Sequence, residues 1–363
     1  MSEQASALPI SLGIGSTSAT RRRTLAILLM VLIATIFWVD SRYPALMKRY
    51  HAGTHVTAKG ALTFGGVYQV DRTMPLATRV WRTTVNWLDA NRVGMTFSFL
   101  FGPAALTFLV TLPRRRTRSR WLNTLYGAVA GVPLGVCSNC IAPIARGLVA
   151  SGMSTESVLA TMFASPALNV VVLAMTFALF PASVAVLKLA TVFFLIFVFA
   201  PAAAARQKTE AATLTCPIEI PVQESWTEAL VGTVQTFARS FWYVAKIALP
   251  LMLLAAILGA FVVELIPPQA LIAPVSVAGI ILVALVAAFL PVPMAFDVAI
   301  AYIAMTRGVP LPYVVTILCT LGIISVYSLS IVGKSISWRV AAAAYGTEAA
   351  LGTVSGLIAR MIA

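Results

Sequence analysis

The sequence predicts an all-α polytopic membrane protein, built as an inverted-topology repeat with two broken, re-entrant helical hairpins. Three observations predict it. Hydrophobic residues make up 60% of the 363-residue chain and charged residues only 10%, against about 25% charged in soluble domains. Apolar stretches long enough to cross a bilayer alternate with loops rich in arginine. Two of those stretches, residues 121–150 and 271–305, are interrupted by glycine and proline, and such backbone is tolerated at membrane depth only where protein or a cavity covers it. The net charge of +14 sits mostly in loops, where it sets topology and meets anionic lipid headgroups. No nucleic-acid partner is expected.

Residues 1–23 read as a cytoplasmic tail ending in Arg21, Arg22 and Arg23. Residues 24–39 are a first span, and no small-residue cleavage site follows it, so it is expected to stay as a signal anchor. Residues 40–92 form a polar extracytoplasmic segment holding His51, His55 and the turn Gly65-Gly66. Its end alternates Val80, Trp81, Val85 and Leu88 with arginines, as an interfacial amphipathic helix does. Residues 93–205 are the first transport repeat. It holds a span over 94–112, an arginine cluster, the broken stretch 121–150, and spans over 156–180 and 183–204. A cytoplasmic linker covers 206–228, and a second interfacial helix is expected over 226–244. Residues 229–363 are the second transport repeat, with spans over 246–266, 312–332 and 340–362 around the broken stretch 271–305.

Both halves follow one plan. Gly152 and Gly308 each close the turn after a broken stretch, an offset of 156 residues (308 − 152). At that offset Cys137 faces Pro293, Ile144 faces Ile300 and Val158 faces Val314. With Arg21 to Arg23 inside, and each broken stretch a hairpin that returns to its own side, the short basic loops all fall on the cytoplasmic side. The two copies then have opposite orientation, an arrangement that places a transporter's solute site near the midplane. The basic segment over 40–92 opposes this topology, although its length weakens its influence.

Cys137 and Cys140 are three residues apart and share a helix face. They follow a helix break, where the positive helix end favours thiolate. Two converging thiolates suit a soft cation, trivalent arsenic or thiol–disulfide exchange; small buried hydrophobes are the plain alternative. Ser138 and Asn139 stand beside them as hydrogen-bond donors. Ser165, Pro166 and Asn169 interrupt a span, either to hold a ligand or to cap a proline kink. Asp297, an acid at membrane depth, would bind a cation or carry a coupling proton. Glu348 is a second proton-coupling candidate, with Lys188 as its expected partner. Ser325 lies in a polar stripe with Tyr327, Ser328 and Ser330. Arg146, on the exit arm of the first broken stretch, could steer an anion, but is expected rather to snorkel to the cytoplasmic surface. Cys319 reads as packing, and no metal site or cofactor is expected. No P-loop is present, so ATP is not the direct driver.

At VCSNCIAPIARGLVASG, followed by ASPALN, the chain resembles the ArsP/YraQ-type permeases, which include organoarsenical exporters. The resemblance runs from about residue 92 onward. The family's first motif reads C-S-C-G-x-x-P, then S-P-x-x-N after a turn glycine. Cys137, Ser138 and Pro143 match, as do Ser165, Pro166 and Asn169. Asn139 stands where the second Cys would fall, and Cys140 replaces the Gly. The resemblance implies a multi-pass permease of the bacterial inner membrane with an inverted repeat. A non-transporting membrane scaffold or receptor is a third reading, disfavoured because broken helices occur twice at matching places, and two functions lead. One is a secondary permease, not an enzyme, that moves a small thiophilic solute containing sulfur or arsenic through a midplane Cys-x-x-Cys site. The other is a membrane thiol–disulfide carrier working with a thioredoxin-like partner. The remaining partners are a small-molecule or ion solute and the lipid bilayer, and a homo-oligomer is compatible with the sequence.

Overall fold

The computed structural model describes residues 17–44, 47, 67–71, 73–111, 119–207, 224–265 and 274–362. His51, His55, Gly65-Gly66, Cys216, the tail before residue 17 and most of the arginine cluster and linker lie outside them. Among the described residues the chain is helical and no β-strand forms. A first helix, α1 (Thr17–Phe37), runs into a π-turn at Trp38–Arg42.

The helices α2 (Leu76–Leu109) and α8 (Trp226–Leu265) are 34 and 40 residues long. At 1.5 Å per residue they reach roughly 51 and 60 Å, well beyond a hydrocarbon core of about 30 Å. Here the structure departs from the sequence reading. The interfacial helices expected before Gly94 and Lys246 are the first halves of these continuous helices. No residue at either junction stops a helix: one internal glycine costs only about 1 kcal/mol, and Gly94 recovers that by packing closely on Cys140.

The first broken stretch consists of α3 (Arg120–Gly131), a 3-10 turn at Val132–Leu134 and α4 (Ser138–Ala150). Between them Gly135 takes the left-handed region at φ 56°. Next come α5 (Thr155–Ala167) and α6 (Val170–Leu179), bent by 48° at their junction, and then α7 (Ala182–Ala205). The span expected over 156–180 is therefore a broken one, because Pro166 removes a backbone donor and Asn169 restarts the helix.

Helices α3 and α5 lie side by side. A Cβ on Gly127 would come 2.2 Å from the Ser157 carbonyl oxygen, and one on Gly131 2.7 Å from that of Thr161. Ser157 Oγ donates to the Asn123 carbonyl at 2.7 Å, and Thr161 Oγ1 donates to that of Gly127 at 2.9 Å. This is the close, small-residue seam that glycines four apart allow between membrane helices. Ascending residues on α3 meet ascending residues on α5, so the two run parallel. The chain must return between them along α4, which makes α3–α4 a helical hairpin.

The second half repeats the arrangement with α9 (Val277–Phe289), α10 (Phe296–Thr306), α11 (Leu311–Thr320), α12 (Val326–Ser335) and α13 (Trp338–Ile362). On α13, a Cβ at Gly356 would meet Ile280 and Pro312, and one at Gly352 would meet Ala284 and Thr320. Both α9 and α11 thus run antiparallel to α13 and parallel to each other, and α9–α10 is also a hairpin that turns back. Gly152 and Gly308, at corresponding places, have φ of 82° and 80°. The corresponding long helices α2 and α8 run antiparallel: near the start of α2, Arg79 and Thr83 bind Glu264 at the end of α8, at 2.8 and 2.9 Å. At the other end of the bundle, Arg22 of α1 pairs with Glu224 just before α8. Beside it, Arg23 donates to the Thr111 carbonyl just after α2 at 2.9 Å.

The α3–α5 seam leaves no room at Gly127. Gly127→Leu is expected to destabilise the protein by about 1–3 kcal/mol, as overpacking does. Gly346→Ala, whose Cβ would meet nothing within 4 Å, should leave stability unchanged or slightly raised. Thermal unfolding midpoints in detergent would separate the two.

Candidate functional site

Pro133 and Gly135 end the incoming arm, and α4 starts afresh with Cys137 as its N-cap. The Cys137 sulfur accepts from the Cys140 backbone N–H at 3.3 Å. The three-residue spacing on a helical turn brings the two sulfurs to 2.8 Å. That is contact without a bond, since a disulfide measures about 2.05 Å. The pair packs on α2. Cys137 Sγ lies 3.7 Å from Asn91 Oδ1, and a Cβ at Gly94 would come 2.7 Å from Cys140 Sγ. Sequence reasoning missed Asn91 and Gly94. The available signal was small and polar residues where a polar helix face meets an apolar one.

Asn139 joins the halves. Its Nδ2 donates to the Val292 carbonyl in the second hairpin at 3.0 Å, and its Oδ1 accepts from Ser325 Oγ at 2.7 Å. Trp87 Nε1 adds a bond from α2 to the Pro291 carbonyl at 2.7 Å. The two broken stretches are therefore in direct contact. Ser325 caps α12 through a reciprocal pair with Ser328. Two hydroxyls at this seam, Ser138 Oγ and Tyr327 OH, are fully buried and have no hydrogen-bond partner. Tyr327 packs in one buried cluster with Cys137 and Cys140. A buried polar group left unsatisfied costs roughly 1–3 kcal/mol.

In the first half, Ser165, Pro166 and Asn169 stand at the α5–α6 break. Ser165 Oγ accepts from the Val136 N–H at 3.2 Å and donates to the Val136 carbonyl at 3.3 Å, tying the break to the residue before Cys137. Asn169 donates to the Ser165 and Pro166 carbonyls at 2.9 and 3.0 Å and accepts from Val172 N–H at 3.1 Å. At the 156-residue offset Asn169 corresponds to Ser325, and both cap a helix that restarts after a break.

Three polar side chains converge on the second break, 321–325. Asn139 reaches Ser325. Asp297 lies over Gly322, where a Cβ would be 3.2 Å from that of Asp297. Glu348 faces the Ile324 backbone. Lys188 forms a buried ion pair with Asp297, not with Glu348 as the sequence suggests, because the returning arm of the second hairpin sets the first turn of α10 against α7. Glu348 is fully buried, and neither carboxyl oxygen makes a hydrogen bond. Arg146 does not snorkel. It is buried, donates from Nε to the Tyr243 carbonyl at 3.2 Å and lies 4.3 Å over the Tyr243 ring. Among the described residues no group of three or more His, Cys, Asp or Glu side chains gathers to hold a metal.

The family model described as "Predicted permease" (ArsP_1) matches residues 104–361. The chain belongs to that permease family. The match starts within α2 and covers both hairpins and every residue named above at the thiol pair, save those of α2 before residue 104. No curated protein and no solved structure matches the chain. As an ArsP_1 permease it is a multi-pass membrane protein acting on a solute in a bilayer. At least four helices among the described residues are long and apolar enough to cross one.

In this permease, removing Lys188 alone would leave a buried carboxylate without its counter-ion, at a cost of about 3–5 kcal/mol. Lys188→Met is expected to lower the unfolding midpoint more than the double replacement Lys188→Met with Asp297→Leu. A double-mutant cycle in detergent measures the difference.

Proposed function

We propose that the protein is a secondary permease of the bacterial inner membrane, moving a small thiophilic solute that contains sulfur or arsenic. Its two halves form an inverted repeat that rocks about the seam between the hairpins. The observation that carries this reading is a pair of touching thiols, at the meeting of two re-entrant hairpins, beside buried hydroxyls with no partner. Cys137 and Cys140 bind the solute, with Ser138 and Asn139 beside them. Ser165, Pro166, Asn169 and Ser325 hold the broken backbone that shapes the site. Between the acids, the lack of a charged partner among the described residues favours Glu348 as the carrier of a coupling proton, while Asp297 is already neutralised by Lys188.

The 2.8 Å separation of the sulfurs also favours a second reading, a thiol–disulfide carrier. The two thiols would then join as a disulfide, passing two electrons and two protons to the disulfide of a thioredoxin-like partner. Alkylation trapping of the membrane protein under oxidising and reducing conditions separates the readings. A redox cycle requires a disulfide fraction, and permeation alone does not.

The permease reading is tested in vesicles preloaded with a trivalent arsenical. Cys137→Ser and Cys140→Ser are each expected to lower flux about tenfold or more, the equivalent of 1.4 kcal/mol of site binding; unchanged flux in both would remove the thiols from transport. Glu348→Gln is expected to keep exchange of solute across the membrane but to abolish accumulation driven by a pH gradient. Retained accumulation would exclude Glu348 as the proton carrier.

A further inference from the structure

Arg146 is the buried charge that the permease reading leaves unused. It sits on α4 six residues beyond Cys140, roughly 9 Å along the helix axis. Its two hydrogen bonds go to neutral acceptors, the Tyr243 carbonyl at 3.2 Å and Ser335 Oγ at 3.4 Å. Among the described residues no carboxylate lies within ion-pair distance of it, whereas the other deeply buried cation, Lys188, has Asp297. Lys246 approaches the same Tyr243 ring, 5.7 Å from its centroid, and adds a second positive charge. Taking a guanidinium out of water costs several kcal/mol unless an anion or good hydrogen bonds compensate. The fully buried Tyr327 phenol, without a hydrogen-bond partner, packs in one buried cluster with the two thiols, on the helix whose Ser335 accepts from Arg146. Along the contact of α4 with α12, marked by the Asn139–Ser325 and Arg146–Ser335 bonds, a soft site and a free hydroxyl thus stand towards one end and a cation without a counter-ion towards the other.

We propose that the solute is an anion, with a soft sulfur or arsenic centre held at Cys137 and Cys140 and its negative charge met by Arg146 through the Tyr327 hydroxyl. This rests on the reading of the thiol pair as the solute site. It adds a charge requirement that the thiols alone do not impose: a guanidinium with unused donors suits a carboxylate or oxyanion group, which it can engage through two parallel bonds. A neutral thiophile would use the thiols and ignore Arg146.

The test is protection of Cys137 and Cys140 from N-ethylmaleimide in the purified full-length protein in vesicles, read by peptide mass spectrometry. The protecting probes are two anions, thiosulfate and the trivalent arsenical 4-carboxyphenylarsine oxide, and one neutral dithiol reagent, phenylarsine oxide. In the wild-type protein at least one anion is expected to protect. In Arg146→Gln its half-protecting concentration should rise tenfold or more, while that of phenylarsine oxide stays within about twofold. Arg146→Lys should recover part of the anion effect. A purely structural Arg146, tying α4 to α8, would weaken both kinds of probe together or neither, and either result overturns the proposal. Should Arg146→Gln not fold, Tyr327→Phe serves instead, with the same selective loss expected and equal protection by both kinds of probe overturning it. If no anion protects the wild-type protein while phenylarsine oxide does, the anion proposal falls and the thiol site stands. If neither protects, the thiol site falls as well.

Discussion

Hydrocarbon offers no hydrogen bonds, so a helix that breaks inside a membrane must find partners for its freed backbone groups within the protein. That constraint organises this molecule. Its breaks near residues 135, 168, 292 and 323 are satisfied by a few side chains that reach across. Ser165 holds Val136, Asn169 holds the end of α5, and Asn139 holds both Val292 and Ser325. The Asn139 amide matters most, because one side chain serves both hairpins and a break in the second half. Its partners belong to the opposite half of the chain, so separating the halves would strand buried polar groups on each.

The same constraint explains why the polar residues near the seam differ in character. Those that cap breaks are fully engaged: each polar atom of Asn169, for instance, is spent on local backbone. Those without partners, Ser138, Tyr327 and Glu348, stand apart from the capping pattern. A folded protein seldom leaves buried groups unsatisfied unless something else meets them. Under the proposed function that something is a solute or an ion in part of the transport cycle, and the engaged set would be scaffold and the unengaged set the working groups.

The seam also brings together opposite electrostatic solutions. Lys188 and Asp297 neutralise each other across the halves, at α7 and α10, and so make a stable internal contact. Arg146 has only neutral partners near the end of α4. Both are cations inside an apolar bundle; what separates them is whether the opposite half supplies an acid.

Much of this was legible in the sequence because it depends on local chemistry. Lipid solvation follows from composition, the hairpin turns from glycine and proline, and the contact of Cys137 with Cys140 from helical spacing. The two matching turns could be read from the spacing of Gly152 and Gly308, which take the same left-handed backbone. What could not be read depends on which surfaces meet. Nothing local separates a helix that lies in the interface and stops from one that continues as α2 or α8; in α2 the continuing helix brings Gly94 closely against Cys140. Lys188 has two acids within reach of reasoning, and only the placement of α10 against α7 selects Asp297 over Glu348. Arg146 near a helix end reads as a snorkelling residue until Tyr243, from the other half, closes over it. The sequence by itself determined the solvent, the breaks and the meeting of the two thiols, since each follows from neighbours along the chain. The tertiary structure decided the partners of every buried charge, because charge pairing at low dielectric is set by distances between segments far apart in sequence.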